Sequence, residues 1–177
     1  MKRPEIIETE RLILRKPRMD DALVMFAGWT QDTEVTRYLT WRPHQRLEQT
    51  ETFLASCIST WNGNSRFPFM ISLKETGEII GMIDPRIEDH KVMIGYGAAR
   101  THWGKGYMIE AVRAMIHWVF QQPGIYRVYA TTDVENVGSR RVMEKAGMQC
   151  EGVLRKYMIH PNISDVPRDC YMYAIVK

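Results

Sequence analysis

The chain has 177 residues, of which 45% are hydrophobic and 25% charged, and its formal net charge is +3. This length fits one domain, residues 1–177, and the composition is typical of globular rather than disordered chains. No apolar run reaches the roughly 18 residues that a membrane-spanning helix needs. The N-terminus also lacks the apolar stretch of a secretory leader. We therefore expect a single-domain cytoplasmic protein with no membrane partner.

The three cysteines and the charge distribution exclude several kinds of site. Cys57, Cys150 and Cys170 are widely spaced and form no C-x-x-C pair, so we expect reduced thiols and no metal. Residues 1–99 carry a net charge of −1 and residues 100–177 carry +4. This mild excess suits a ligand with several phosphates. No basic tail or basic helix face accompanies it, so we predict no nucleic-acid partner.

The first 99 residues are predicted to form four strands and two helices. Apolar runs bounded by turn residues indicate strands at 10–16, 67–73, 78–84 and 91–99. The second and third of these strands read as a hairpin across the turn at 75–78. One helix ends near Trp29 and has Asp20 as its N-cap, and a second covers 46–61. An irregular aromatic segment, 31–45, separates the two helices.

The second half alternates strands and helices. Apolar residues at helical spacing predict a helix over 107–121, which Pro123 and Gly124 end. A strand at 125–132 precedes a short helix over 136–146, with Asn136 as N-cap and Gly147 at the C-terminal cap position. Two strands, at 150–158 and 169–176, complete the chain. We predict an α/β fold with a mixed sheet and a parallel element around the helix at 107–121.

The segment 103-WGKGYM-108 joins a predicted strand to that helix. A helix N-terminus exposes unpaired N–H groups and partial positive charge, and glycines let a ligand approach the backbone closely. Gly104, Lys105 and Gly106 therefore suit a phosphate group. A Walker loop is excluded because no serine or threonine follows the lysine, and Ile109 stands where a dinucleotide fingerprint needs glycine. The alternative is a turn whose glycines serve geometry alone.

Several patches together resemble one family. They are 9-TERLILR-15, 76-TGEIIGMI-83, 94-IGYGAA-99, 103-WGKGYMIEA-111, 136-NVGSRRVMEKAGM-148 and 151-EGVLRK-156. In this order they resemble the GCN5-related N-acetyltransferase (GNAT) superfamily, in particular the branch that acetylates the N-termini of ribosomal proteins. The resemblance covers nearly the whole chain.

This resemblance implies a mostly antiparallel sheet in which the fourth and fifth strands, 91–99 and 125–132, splay apart. Acetyl-CoA would lie in the V between them, with its pantetheine along the fourth strand and its pyrophosphate on the glycine turn. The family's loop begins with glutamine or arginine and ends with glycine or alanine, so Trp103 and Met108 depart from it. The cofactor-binding residues that the resemblance implies are Tyr96, Gly97, Ala98, Ala99, Trp103, Gly104, Lys105, Gly106, Tyr107, Met108, Asn136 and Ser139.

Acetyl transfer requires a neutral amine, a polarised thioester oxygen and a stabilised leaving thiolate. Many family members protonate the thiolate with a tyrosine seven residues after the asparagine, but Met143 stands there. The ribosomal-protein branch implies Ser139 as the general acid or hydrogen-bond donor and Asn136 as a pantetheine ligand. The alternative for both residues is helix capping.

The general base and the acceptor are left open by the sequence. Asp84, Glu88 and His90, or a water chain, could accept the amine proton, whereas Glu110 reads as structural. The acceptor pocket is predicted to include Tyr38, Trp41, Arg42 and Phe69. We expect acetyl transfer from acetyl-CoA to a protein N-terminal α-amine. A small amine (polyamine, amino acid or aminoglycoside) and a catalytically silent acyl-CoA-binding module are the alternatives, and the protein would be a monomer or a homodimer.

Overall fold

The computed structural model describes residues 4–177, which form a sheet of eight strands in the order β1-β2-β3-β4-β5-β6-β8-β7. Strands β5 and β6 are parallel and the other neighbouring pairs are antiparallel. The strands are β1 (Ile6–Glu8), β2 (Leu12–Arg15), β3 (Phe69–Leu73), β4 (Ile79–Glu88), β5 (Lys91–Ala98), β6 (Arg127–Asp133), β7 (Gln149–Met158) and β8 (Arg168–Val176).

Helices cover both faces of this sheet. They are α1 (Asp21–Met25), which continues as a π-helical turn over Phe26–Thr30, α2 (Thr33–Thr36), α3 (Leu47–Thr60), α4 (Tyr107–Phe120) and α5 (Val137–Lys145), with a 3₁₀ turn at Arg100–His102. Within residues 4–177 no helix is both long and apolar enough to cross a membrane.

The alternation of side chains along the strands creates two cores. On β3, Phe69 and Ile71 face the larger cluster, which contains the apolar faces of α4 and α5. Met70 points to the opposite face and joins a smaller cluster with α1 and α3. Successive side chains of a strand point to opposite faces, so one buried strand serves both cores. The sheet is thereby held rigidly between two layers of helices.

The main elements predicted from the sequence are confirmed. The hairpin of β3 and β4 and the helices α3 and α4 lie where apolar periodicity placed them. The Asn136 side chain caps α5 by accepting a hydrogen bond from the Ser139 N–H at 3.1 Å. Gly147 follows α5 with φ of 98°, a left-handed conformation that suits glycine at a helix end. The predicted fold class, a mixed α/β sheet with splayed parallel strands, is also confirmed.

Two features near the N-terminal end differ from the prediction. Asp20 is the N-cap residue of α1, as predicted, but its side chain makes no capping hydrogen bond. Its neighbour Asp21 is buried instead and binds the Arg15 guanidinium and the Arg18 N–H. A short strand that was not predicted, β1, also pairs with β2. The strand predicted at 125–132 is therefore the sixth strand along the chain, β6, and not the fifth.

Strand β4 is longer than predicted and passes through Pro85. The sequence placed its end at Asp84 because proline lacks the N–H needed by a central strand. The Pro85 carbonyl accepts from the Phe67 N–H, before β3 begins at Phe69. The Pro85 nitrogen therefore faces residues that precede β3, where the strand pairing needs no hydrogen bond from a Pro85 N–H.

The parallel strands β5 and β6 diverge soon after they pair. Their register joins Lys91 to Arg127, Val92 to Val128 and Met93 to Tyr129, with no later pair along the described strands. The rest of β5 stays bound to β4 on its other side, up to the pair of Ala98 with Gly81. A wedge-shaped gap thus opens between β5 and β6 with its vertex near Ile94.

Candidate active site

The backbone of β5 presents polar groups to this gap. The Ala99 N–H donates to the Ile80 carbonyl of β4 at 2.9 Å. Main-chain groups alternate along an antiparallel strand, so those of Gly97 also face β4, whereas those of Tyr96 and Ala98 face the gap. An extended ligand with amide groups can pair with them. Gly97 and Ala99, predicted to bind cofactor, use their backbone groups to hold β4 instead.

Trp103 makes a hydrogen bond with the last residue of β5. Its indole Nε1–H donates to the Ala98 carbonyl at 2.8 Å, while 49% of the residue remains exposed. A glutamine or arginine at this position was the family expectation, and the tryptophan supplies a hydrogen bond from its ring. The gap therefore retains the N–H of Ala98 and both main-chain groups of Tyr96 for a ligand.

The glycine turn lies between this end of β5 and α4. Gly104 and Gly106 have φ of 75° and 81°, and Gly106 is the N-cap of α4. No atom lies within 4 Å of a β-carbon built on Gly104. Left-handed glycines aim successive N–H groups outward, and the helix N-terminus adds partial positive charge. This geometry suits the binding of an anion beside the gap.

Arg11 and Glu110 support this turn, and the sequence pattern did not indicate that Arg11 takes part. Glu110 accepts hydrogen bonds from the Thr9 hydroxyl and from the N–H and Nε of Arg11. Arg11 Nη1 also donates to the Lys105 carbonyl at 3.1 Å, and its guanidinium lies over the Tyr107 ring. Partial burial raises the pKa of Glu110, but the hydrogen bonds from Thr9 and Arg11 lower it further, so the net shift is downward. The carboxylate therefore stays ionised and holds the arginine beside the turn.

Tyr96 and Ser139 meet across the space between β5 and α5. Their hydroxyl oxygens are 2.9 Å apart, and Tyr96 Oη also donates to the Ser139 main-chain oxygen at 3.1 Å. Burial raises the pKa of Tyr96, and the hydrogen bond with Ser139 only partly opposes that shift. The phenol is therefore neutral near pH 7. Met143, at the position of the usual tyrosine, is fully buried in the core.

On the acceptor side, Tyr38 reaches the start of α5. Its hydroxyl donates to the Glu135 carbonyl at 3.4 Å, one residue before Asn136. Its ring also lies edge-on to His160, with 6.4 Å between the ring centroids. The segment after α2 and the β7–β8 loop therefore meet beside the gap.

Trp41 and Arg42 lie further along the same segment. The Trp41 ring packs on His44 with 4.8 Å between centroids. Its carbonyl and that of Thr36 accept hydrogen bonds from the Asn162 side chain. Arg42 is exposed and forms a 3.6 Å ion pair with Asp165. The Asn162 hydrogen bonds fix the β7–β8 loop to this segment.

Phe69 was predicted to line the acceptor pocket, and the structure corrects that prediction. It is fully buried and packs between Trp61 and Trp118, at centroid distances of 5.0 and 6.1 Å. A side chain without exposed surface cannot contact an acceptor. The sequence pattern placed Phe69 on a strand but did not indicate which face of the sheet its side chain would join.

The three proposed bases are also placed by the structure. Asp84 is buried and forms ion pairs with Arg66 and Arg86, which hold its carboxylate. Glu88 ends β4 and His90 lies in the following turn, beside the paired ends of β5 and β6. These two residues therefore lie at the closed end of the wedge, away from Tyr96.

A buried ion pair supports the far wall of the gap. Asp133 ends β6, has no exposed surface and receives two hydrogen bonds from Arg168. The Nε2 of His160 lies 3.7 Å from the same carboxylate and 3.8 Å from the Cys170 thiol. Burial raises the pKa of Asp133, but the hydrogen bonds from Arg168 and from the Glu135 N–H, together with the nearby charges of Arg168 and His160, lower it by more in total. This cluster anchors β6 just before α5 begins.

Within residues 4–177 no group of three or more histidine, cysteine or acidic side chains is arranged to hold a metal ion. Cys57, Cys150 and Cys170 are free thiols. The polar groups identified at the gap are backbone N–H groups, the hydroxyls of Tyr96 and Ser139 and the amide side chain of Asn136.

A sheet whose parallel strands diverge beside a glycine-led helix has the architecture of an acetyl-CoA-dependent acetyltransferase. The chain belongs to the GNAT acetyltransferase family, because residues 11–149 match the model of the acetyltransferase (GNAT) domain. It is similar to the N-acetyltransferase p20 of Bacillus licheniformis, with 34% identity over 98% of this chain and 97% of that protein.

Solved structures agree with this family. A GNAT-family acetyltransferase from Bacillus anthracis superimposes with a TM-score of 0.85 at 29% identity, covering 97% of this chain and 98% of that one. RimL, a ribosomal L7/L12 α-N-protein acetyltransferase bound to coenzyme A, gives 0.86 at 20% identity with the same coverage. The protein is an acetyltransferase whose acetyl donor is acetyl-CoA.

Proposed function

We propose that the protein transfers the acetyl group of acetyl-CoA to the α-amine at the N-terminus of a protein. One observation carries this proposal. The gap between β5 and β6 has a glycine turn and the N-terminus of α4 at its open end and the Tyr96–Ser139 hydroxyl pair within it. A pyrophosphate and a thioester joined by an extended amide chain fit that order of groups.

The cofactor would be held mainly by backbone groups. The pantetheine amides would pair with the main chain of Tyr96 and with the Ala98 N–H, as a further strand does. The pyrophosphate would bind the N–H groups of Gly104–Gly106 and the first turn of α4. Asn136, which already caps α5, lies beside the same channel and would contact the pantetheine.

The reaction would proceed by direct attack in a ternary complex. The neutral amine attacks the thioester carbon, a backbone N–H at the gap stabilises the developing oxyanion, and the attacking nitrogen releases its extra proton to water. The C–S bond then breaks and its electron pair stays on sulfur, to which the Ser139 hydroxyl donates a hydrogen bond. Holding both substrates in line would supply much of the rate acceleration.

The acceptor would enter between the α2 segment and the β7–β8 loop. Tyr38 lies at the inner end of this entrance, and Arg42 and Asp165 lie at its exposed rim. One cation paired with one anion at the rim, rather than a cluster of acidic side chains, offers little attraction to a polycation such as a polyamine. RimL, with the same fold, acts on the α-amine of a ribosomal protein.

An acceptor screen tests the proposal. Thiol release from acetyl-CoA is followed with peptides that begin with Ala, Ser or Met, and with polyamines, amino acids and aminoglycosides. We expect turnover with peptides, acetylation of the α-nitrogen by mass spectrometry and none with the same peptide formylated. Turnover only with small amines would reject the acceptor class. Acetyl-CoA binding by calorimetry without turnover on any amine would indicate a catalytically silent binding module.

The pH dependence distinguishes the two amine classes independently. An α-amine has a pKa of about 7.7–8.0, whereas a lysine-like amine has about 10.4. The rate with an α-amine should therefore level off near pH 9, because more than about nine tenths of the amine is then neutral. A rate that still rises tenfold per pH unit at pH 9 would point to an aliphatic side-chain or polyamine acceptor.

A further inference from the structure

Tyr96 and Ser139 are linked through their side chains, across 43 residues of sequence. The Tyr96 backbone faces the gap, so its phenol leaves β5 beside the position proposed for the thioester. We propose that Tyr96 is a positioning residue that orients the Ser139 hydroxyl toward the sulfur of the departing coenzyme A. This inference rests on the acetyl transfer proposed above.

Each hydroxyl carries one proton, which limits what the pair can do. In one arrangement Tyr96 O–H donates to the Ser139 main-chain oxygen, 3.1 Å away. The Ser139 hydroxyl can then donate to Tyr96 Oη, and in that case it makes no hydrogen bond to the sulfur. When Tyr96 O–H donates to Ser139 Oγ, 2.9 Å away, the serine proton is free for the sulfur. A developing thiolate attracts that proton. The breaking C–S bond therefore selects the chain Oη–H···Oγ–H···S.

The Ser139 hydroxyl lies in the first turn of α5, where the carbonyl four residues earlier, that of Glu135, precedes the helix and already accepts from the Val137 N–H at 2.9 Å. Tyr96 holds Ser139 Oγ from the sheet side and keeps it available. No proton has to leave Tyr96, because the proton shed by the attacking nitrogen balances the charge left on sulfur. Two hydroxyls in series thus stabilise the leaving group as hydrogen-bond donors.

Kinetics of four variants test this role. Tyr96→Phe should lower kcat about tenfold with an unchanged KM for acetyl-CoA, the size expected for one lost hydrogen bond. The double variant Tyr96→Phe/Ser139→Ala should match Ser139→Ala alone, because the tyrosine acts through the serine. The control Tyr173→Phe removes a comparable 2.8 Å bond from the sheet to α5, at Glu144, and should leave kcat unchanged.

A spectroscopic measurement needs no turnover. The thiolate of bound coenzyme A is titrated by its ultraviolet absorbance, with the desulfo-CoA complex as the blank. Wild-type protein should lower the pKa of the bound thiol below that of the free thiol, because the hydroxyl chain stabilises the thiolate. Tyr96→Phe should shift that pKa upward, and Tyr173→Phe should not.

The outcomes separate this inference from the proposed function. Equal kcat for Tyr96→Phe and Tyr173→Phe with no difference in thiol pKa would overturn the role of Tyr96. Additive losses in the double variant would also contradict it, because they would show that Tyr96 acts independently of Ser139. Acetyl-CoA binding without acetylation of any amine would reject the proposed function, while the thiol titration would still report on the hydroxyl pair.

Discussion

Asn136 and Ser139 begin the same helix but have different partners. Asn136 Oδ1 accepts the Ser139 N–H and so caps α5, whereas Ser139 Oγ points to Tyr96. The sequence left capping and chemistry open for both residues. The structure assigns the cap to the Asn136 side chain and leaves the Ser139 hydroxyl outside it.

This division predicts opposite phenotypes for two alanine variants. Asn136→Ala should lower the free energy of unfolding by about 1 kcal/mol, the usual cost of losing an N-cap. Ser139→Ala should leave urea unfolding nearly unchanged but lower kcat about 100-fold, because the leaving group loses its hydrogen-bond donor. Equal losses of stability for the two variants, or an unchanged kcat for Ser139→Ala, would contradict this assignment.

Asp133 predicts how stability depends on pH. Although burial raises its pKa, the hydrogen bonds from Arg168 and the Glu135 N–H and the charges of Arg168 and His160 together lower it by more, so the folded-state pKa lies below the unfolded value of about 3.9. The resulting stabilisation is present above about pH 4 and is lost as the pH falls through the folded-state pKa. The groups that face Asp133 are thus Arg168, His160 and the Glu135 N–H, and the Glu135 carboxylate pairs with Arg168.

Replacing Asp133 with asparagine should therefore lower the free energy of unfolding by about 3 kcal/mol at pH 7, because Arg168 loses its buried partner. The difference from wild type should shrink when unfolding is measured below pH 4. Asp20 provides the control. It is exposed and its side chain makes no capping hydrogen bond, so Asp20→Asn should change little at either pH. A difference that is constant from pH 3 to pH 7 would show that Asp133 is not ionised in the native protein.

At the scale of elements, helices and caps that depend on neighbouring residues in the sequence were predictable. Elements that depend on contacts with distant segments were not. The apolar spacing of α4 and the cap and glycine of α5 are written in consecutive residues. The π-helical turn that extends α1 is not, because it depends on packing with α3, where the Thr30 and Thr50 hydroxyls meet at 2.9 Å inside the protein. Strand β1 is similarly short and exists through its pairing with β2.

The glycine turn before α4 yields an element-scale prediction. Gly106→Ala should cost about 1 kcal/mol, because φ of 81° strains an L-residue, and should weaken acetyl-CoA binding about tenfold by re-aiming the N–H groups. Gly124→Ala is the matched control, since Gly124 has φ of 78° and open space around its would-be β-carbon. It should cost similar stability in urea unfolding without changing the calorimetric affinity for acetyl-CoA. Equal affinities for the two variants would exclude the turn from the binding site.

At the scale of the whole molecule, the site is assembled from distant segments. Arg11 and Glu110 are 99 residues apart, and Asn162 joins Trp41 across 121 residues. Sequence spacing cannot reveal such pairs. Spacing indicated the glycine turn and the family resemblance indicated Ser139, because both lie in continuous motifs. Neither indicated Arg11, the Tyr96–Ser139 bond or the burial of Phe69. The binding gap itself results from the whole sheet, since β4 holds β5 while β6 turns away.

That gap should be visible in amide hydrogen exchange. The N–H groups of Tyr96 and Ala98 face the gap, whereas those of Gly95 and Gly97 are directed at β4 and belong to its ladder. Without ligand, the first pair should exchange quickly, because exchange protection follows hydrogen bonding and burial. Bound acetyl-CoA would give these two N–H groups new acceptors.

We therefore expect saturating acetyl-CoA to slow exchange at Tyr96 and Ala98 about tenfold or more, measured by NMR, with a much smaller effect at Gly95 and Gly97. Coenzyme A should reproduce this pattern, because the pantetheine rather than the acetyl group makes the pairs. A pyrophosphate salt alone should not, since it would occupy only the glycine turn. Equal slowing at all four positions would mean that the ligand stiffens the whole sheet, and the alternation argued for the gap would then be wrong.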